Sequence, residues 1–485
     1  MFSRENKSFV LVLVAFLLSC QAAMFSNMEF AFCVVSITLA GLYLIRRPSE
    51  ALWVGFLLLA IASQLYPVQV DELGTSVQGT YRVYILAVGV VAASTFVGLS
   101  SRSTAAQRRI LPQCRTVRYR IVVLATLFLL ALAYCYFTSA ATPQFSDVLR
   151  DCSGLITLLV FIFLGFVLSP SLEEIGRSFA RLCLCVLAYS AYFVLKFLYL
   201  SRVSGTDQTT AIFSYSQRDL MFFSGLVFVV LVAQVLSSEI GLTWLQTSLN
   251  ASMLLLATLF SGSRSVLVCE LLVSLLFIFV WRSKIQVRSG LLAATTVLAL
   301  FFGLSSRLPS QLSSQGGVLG YVSSRYLMAS GDDTSLLARA SEMGAVADAI
   351  REHPLFGRGP LASYSFFDPL FGWKETTFLD TGLGYLLMKT GIGGTAIFFW
   401  FAIGWLRMAG DLRKVFPTLT VASLASFIFY VVFMPFGPSF FEFQHSWLIG
   451  LVIGGTVAID LRLPDVQSPW PRVSSVNTDD LSHSL

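Results

Sequence analysis

An all-α, polytopic integral membrane fold is what this 485-residue sequence predicts, and three features predict it. Hydrophobic residues make up 56% of the chain and charged residues only 12%, a balance outside the range of water-soluble domains. The apolar residues fall in windows of about 20, the length a helix needs to cross hydrocarbon at about 1.5 Å per residue. A single long polar stretch, 305–380, interrupts the series.

In chain order the windows lie at 9–25, 29–45, 51–66, 81–100, 121–140, 151–168, 182–200, 219–236, 242–260, 265–281, 289–304, 391–407, 415–434 and 441–459, about 14 spans. The first follows Arg4 and Lys7 and ends at Leu17-Leu18-Ser19-Cys20, which imitates a cleaved leader. Bulky Leu18 and the second apolar window directly behind it favour a retained helix. The basic loops are Arg46-Arg47, the patch Arg102, Arg108, Arg109, Arg115, Arg118 and Arg120, then Arg282, Lys284 and Arg288, then Arg407, Arg413 and Lys414. All fall on the side of the amino terminus. Because cytoplasmic loops hold the Lys/Arg excess, both termini are expected in the cytoplasm and 305–380 on the far, periplasmic side. The chain divides into helices over 1–240, a core over 241–410 that contains the 305–380 loop, helices over 411–460, and a polar tail over 461–485 with Pro464, Pro469 and Pro471. No internal repeat of the kind that marks many transporters is visible.

The net charge of +6 belongs to loops facing anionic lipid, and no nucleic-acid motif accompanies it. None of the eight cysteines lies in the large loop, so neither a disulfide framework nor a zinc site is expected there. The loop instead carries Arg307, Arg325, Arg339, Arg351, Arg358 and Lys374. Cations on the far side run against the orientation rule, which points to an anionic ligand.

Within the loop a helix is expected over 334–352, capped by Asp333 or Thr334 and stopped by His353-Pro354. Asp332-Asp333 fits a cap better than a metal site. At 100° per residue Leu336, Ala340, Met343, Val346, Ala347 and Ile350 share one stripe, and Arg339 falls inside it. Arg339 then either pairs with Glu342 or Asp348 or reaches inward to a phosphate. The Gly/Pro turn 354–360 would present backbone N–H groups beside Arg358. Arg264, in Ser261-Gly262-Ser263-Arg264-Ser265 between two apolar windows, sits where a charge needs a partner, either a lipid headgroup or a ligand phosphate.

Three of these elements, in this order, resemble the O-antigen ligase and O-antigen polymerase superfamily of bacterial cell-envelope glycosyltransferases. They are Ser263-Arg264 closing a helix; Arg339, a short helix and His353-Pro354-Leu355-Phe356-Gly357-Arg358-Gly359; and Asp380-Thr381, eleven residues before Gly391-Ile392-Gly393-Gly394. The resemblance covers roughly residues 250–405 and implies a membrane fold of the GT-C-like type. Ligases resemble one another in having His where this chain has Asp380. A carboxylate there favours polymerisation of lipid-linked repeat units.

The resemblance implies a polyprenyl-diphosphate-linked oligosaccharide as both donor and acceptor, joined at the periplasmic face of the inner membrane. A flippase and a chain-length regulator are the implied protein partners. Arg264, Arg339 and Arg358 would neutralise the leaving diphosphate with bidentate hydrogen bonds, with no cofactor and no metal required. Asp380 would be the base for the acceptor hydroxyl, its alternative role being to cap the next helix with Thr381. Glu375, Asp368, Glu442 and His445 stand in reserve as bases, and Arg218, His353 and Tyr364 are accessory candidates. Tyr364, Phe366, Phe367, Phe371, Trp373 and Tyr385 would stack on sugars or anchor the interface. Two other readings stay open: a ligase or oligosaccharyltransferase to lipid A core or protein, and an exporter of lipid-linked glycans. Lys196 is the single clear basic residue read inside a span, fewer than a charged transport path would need.

Overall fold

The computed structural model describes residues 29–65, 78–100, 151–168, 172–204, 220–237, 244–280, 334–369, 372–377, 379–413, 417–437 and 439–460. Among them are twelve α-helices and one β-hairpin. In chain order they are α1 (Glu29–Arg46), α2 (Ala51–Leu65), α3 (Gln78–Ser100), α4 (Ser153–Leu168), α5 (Leu172–Ser204), α6 (Met221–Leu236), α7 (Trp244–Ser261), α8 (Arg264–Val280), α9 (Thr334–Glu352), β1 (Tyr364–Asp368), β2 (Gly372–Thr376), α10 (Gly382–Leu412), α11 (Pro417–Phe433) and α12 (Phe443–Asp460). The all-α expectation therefore stands, with a small hairpin added inside the polar stretch. The expected spans 9–25, 121–140 and 289–304 and the 461–485 tail lie outside the described residues.

Among the described residues, two segments are long and apolar enough on their own to cross a bilayer, Gly176–Tyr199 and Gly382–Leu412; seven further apolar segments run 10–17 residues. Both long helices start earlier than the apolar windows suggested. α5 opens at Leu172, ten residues before its window, and α10 at Gly382, nine before. The windows missed these turns because charge and glycine interrupt them, while a helix needs neither to be absent. Among the described residues, Leu271, Leu272, Leu275 and Phe279 on α8 and Val34, Val35, Leu39 and Leu42 on α1 point outward and exposed. Continuous apolar faces of this size suit lipid rather than water.

Close backbone approach holds the bundle where hydrocarbon surroundings give apolar burial little advantage. The tightest seam joins α4 to α12 through Gly450-Leu451-Val452-Ile453-Gly454, a pair of glycines four residues apart. A Cβ at Gly454 would stand 2.0 Å from the Ile162 carbonyl, and one at Gly165 would stand 2.5 Å from that of Leu451. Large rings fill the remaining interior, with Phe56, Phe161, Phe222, Phe223, Trp405, Tyr430 and Trp447 fully buried.

α10 is broken at Gly391 (φ 66°, ψ −169°), and the turn after α9 is docked into the break. Ile392 N–H donates to the Pro354 carbonyl (2.8 Å), Gly393 N–H to that of Leu355 (3.0 Å), and Arg358 N–H to that of Met388 (2.8 Å). Gly357 and Gly391 both have positive φ, and a Cβ on either would lie about 2.5 Å from backbone nitrogen or oxygen of the other strand of the joint. The two glycine motifs singled out in the sequence are thus the halves of one joint. Two of the turn's N–H groups are engaged: Gly357 N–H closes on the His353 carbonyl at 3.0 Å, and Arg358 N–H reaches the Met388 carbonyl across the joint.

Below the joint, a buried ion pair ties the polar stretch to the bundle. Lys389 Nζ donates to Asp151 Oδ2 at 3.0 Å with both side chains 2% exposed, and the same oxygen accepts from Leu361 N–H at 2.7 Å. Lys389 also donates to the Ala362 carbonyl (3.2 Å), and Tyr385 O–H to the Asp151 carbonyl (2.8 Å). Lys389 was not foreseen, since the expected span began beyond it. It adds a second basic residue inside an apolar helix, here matched by a carboxylate.

Candidate active site

Gly382 N–H donates to the Gly437 carbonyl (3.0 Å) and Leu383 N–H to that of Met434 (3.1 Å), so the start of α10 meets the end of α11. Gly154, just inside α4, lies against the Phe441 carbonyl. His445, at the start of α12, stacks on Phe222 of α6 with ring centroids 4.2 Å apart. One end of the bundle therefore gathers the starts of α4, α6, α10 and α12 with the end of α11, and the α9–hairpin unit sits over it.

Asp380 lies at that meeting point, one residue before the α10 cap. Thr381 makes the cap with its own hydroxyl, accepting from Gly384 N–H at 3.2 Å, so the Asp380 carboxyl is not spent on it. The Asp380 side chain keeps a solvent-accessible face although protein surrounds it on its other sides. Desolvation raises its proton affinity above the ordinary carboxylate range. The Arg339 charge opposes that rise, Glu442 adds to it, and Lys374 and Asp368 act in smaller and opposite senses. Those four residues come from α9, the α12 entrance and the two hairpin strands.

The hairpin pairs Tyr364 with Thr376, Phe366 with Lys374 and Asp368 with Gly372. Alternation turns Tyr364, Phe366, Asp368 and Lys374 toward the bundle and leaves Ser365, Phe367, Trp373 and Glu375 outside. On the inner face Lys374 Nζ and an Asp368 oxygen are 3.0 Å apart. Tyr364 O–H donates to Glu342 Oε1 at 2.5 Å, and the same oxygen accepts from Asp380 N–H at 2.9 Å. Glu342 is 3% exposed. Burial and the neighbouring Asp380 charge hold its carboxyl above the usual range, and burial together with Glu342 pushes the Tyr364 phenol up.

The packed face of α9 differs from the expected stripe. Glu342, Val346 and Ala349 are buried, whereas Ala340, Met343 and Ala347 are exposed, because the hairpin and the start of α10 pack on the polar flank that holds Glu342. Ser341 accepts from Phe367 N–H at 2.8 Å. Asp348 is engaged by Arg351 at 2.9 Å, so of the two partners foreseen for Arg339 only Glu342 shares its surroundings.

The other sequence candidates fall into three groups. Tyr364 and His445 each reach a neighbour of Asp380: Tyr364 bonds Glu342, and the His445 ring, 2% exposed, lies 3.1 Å from Glu442 Oε2. Arg264 opens α8, whose first turn packs on α6 through Val266 and Gly225 at the same end of the bundle. Arg358, His353 and Glu375 are elsewhere. Arg358 pairs with Glu352 at 2.5 Å and is not among the charges acting on Asp380; His353 is exposed; and Glu375 accepts from the Ser363 hydroxyl at 2.6 Å on the outer face. Arg218 lies outside the described residues. Sequence reasoning missed Glu342 as a site residue, although its place one turn after Arg339 was a usable signal, and it missed Asp151 and Lys389. Among the described residues no three His, Cys, Asp or Glu side chains converge as metal ligands.

Residues 249–399 match the family described as O-antigen ligase. The match covers less than a third of the chain. No curated protein matches the chain. The matched segment runs from α7 past the break in α10, so it holds Arg264, Arg339, Glu342, Tyr364 and Asp380. Asp151, Glu442 and His445 come from helices outside it. The match supports, in general terms, a function of the O-antigen ligase and polymerase kind in cell-envelope polysaccharide synthesis at a membrane.

Proposed function

We propose that this protein is a polymerase that joins polyprenyl-diphosphate-linked oligosaccharide repeat units into a cell-surface polysaccharide at the periplasmic face of a bacterial inner membrane. The observation that carries the reading is Asp380: an accessible carboxylate with raised proton affinity, at the position where ligases resemble one another in having histidine. In this reading about 14 spans place both termini in the cytoplasm and Asp380 outside.

The acceptor hydroxyl gives its proton to the Asp380 carboxylate as its oxygen attacks the anomeric carbon. The bond from that carbon to the diphosphate breaks, and the departing polyprenyl diphosphate carries away the electron pair. Arg339, held beside Asp380, and Arg264 meet the growing negative charge without a metal. Arg358, turned toward Glu352, is left out of this assignment. A second reading, transfer of the glycan to lipid A core, is favoured by the description of the matched family.

The test uses purified protein in lipid with a diphosphate-linked repeat unit, no nucleotide sugar and excess chelator. A ladder of lipid-linked glycans that Asp380→Asn and Arg339→Ala both abolish is the expected result. A single transfer product formed only when lipid A core is added would establish the ligase. Absence of any glycosidic bond, with labelled lipid-linked glycan crossing the bilayer, would replace both with an exporter.

A further inference from the structure

We propose that Glu342 is a positioning residue that acts through Asp380, fixing the backbone that carries that carboxylate. The assignment rests on the function proposed for Asp380 above, but its geometry does not.

Glu342 Oε1 is the meeting point of three chain segments. It belongs to α9, accepts from Tyr364 O–H of β1 at 2.5 Å, and accepts from Asp380 N–H at the entrance to α10 at 2.9 Å. Both donors sit on one oxygen of a side chain that is 3% exposed, so the contact is buried and shared. On the next residue Thr381 fixes its backbone through the Gly384 N–H. Asp380 is thereby held from both sides, by Glu342 at its own N–H and by the helix cap immediately after it. Spacing adds a consequence. Arg339 and Glu342 are three residues apart on α9 and share one helical face. A single turn of α9 therefore sets both the cation that acts on Asp380 and the acceptor that anchors its backbone.

A carboxylate suits the role. An amide at 342 keeps the acceptor oxygen but loses the negative charge, whereas a methyl group loses both. This separates position from charge. Glu342→Gln is expected to retain most of the turnover with its pH–rate profile little moved, since Glu342 is not among the charges that act on Asp380. Glu342→Ala is expected to lower kcat at least tenfold with KM little changed, and to be silent in an Asp380→Asn background.

Hydrogen exchange of the peptide spanning 379–384 supplies a readout that needs no substrate. Protection of that peptide lost in Glu342→Ala and kept in Glu342→Gln, both variants eluting from size exclusion like wild type, would support the proposal. Unchanged protection in Glu342→Ala, or a kcat loss that adds independently to that of Asp380→Asn, would overturn it. If wild type forms no glycosidic bond yet the exchange pattern appears, the functional reading fails and the anchoring of Asp380 stands. Tyr364→Phe guards against misfolding of the alanine variant: it removes one donor only, and its expected outcome is a smaller loss of kcat with the Asp380 N–H still protected.

Discussion

Asp151 and Asp380 are the same side chain placed at the same end of the same bundle, each close to the start of α4 or α10, and they are used in opposite ways. Asp151 is closed off at 2% exposure, with Lys389 and the Leu361 N–H on one oxygen. Asp380 has its backbone held and its carboxyl left accessible, with a cation nearby rather than clamped to it. A carboxylate bonded to a buried cation joins parts of a fold. One anchored through its peptide group, with its head left accessible, suits proton transfer.

The largest effect should follow from removing the open carboxylate. Asp380→Asn is expected to lower turnover about 10²–10⁴-fold, the usual contribution of a positioned base, with little change in thermal unfolding. Because the native proton affinity of Asp380 is raised, wild-type turnover should fall as pH drops through that raised value. The folded state also binds the Asp380 and Glu342 protons more tightly than the unfolded chain does. Their contribution to stability is therefore fully present below the ordinary carboxylate range and is lost as pH rises through the raised values. Thermal unfolding against pH should lose part of this slope in Asp380→Asn.

The closed carboxylate should behave the other way. Lys389→Met leaves Asp151 charged and buried, at a cost of about 3–5 kcal/mol, while Lys389→Met with Asp151→Leu should recover most of it. Unfolding in detergent reads both, and a single variant as stable as wild type would erase the distinction drawn here. Gly391→Ala comes next: positive φ and the nearby Gly357 backbone predict a loss of about 1–3 kcal/mol and increased protease cutting near residue 355. Thr381→Ala should cost about 1 kcal/mol through the lost cap, with turnover reduced far less than in Asp380→Asn.

Much of the fold was legible because helices announce themselves locally. The windows for α2, α4, α6, α7, α8, α11 and α12 fall within a few residues of the observed helices, since about 20 apolar residues in lipid can satisfy their backbone in almost no other way. The hairpin was not read, although Tyr364 to Thr376 alternates, because a strand of five residues carries little periodic signal. The rotation of α9 was also beyond reach, since a buried glutamate reads as solvent-facing until its partners are known.

By itself, then, the sequence determined an all-α membrane architecture, and it pointed to the polar stretch as the proposed place of chemistry with Arg339 and Asp380 as its proposed leading groups. Those follow from composition, from charge placed against the orientation rule, and from motif resemblance. Only the tertiary structure decided that Glu342 anchors Asp380, that Arg358 turns to Glu352, that the glycine motifs form one backbone joint, and that Lys389 is neutralised by a residue 238 positions away. Each is a contact between segments distant in sequence, and such pairings are set by how helices pack, which no local pattern of residues encodes.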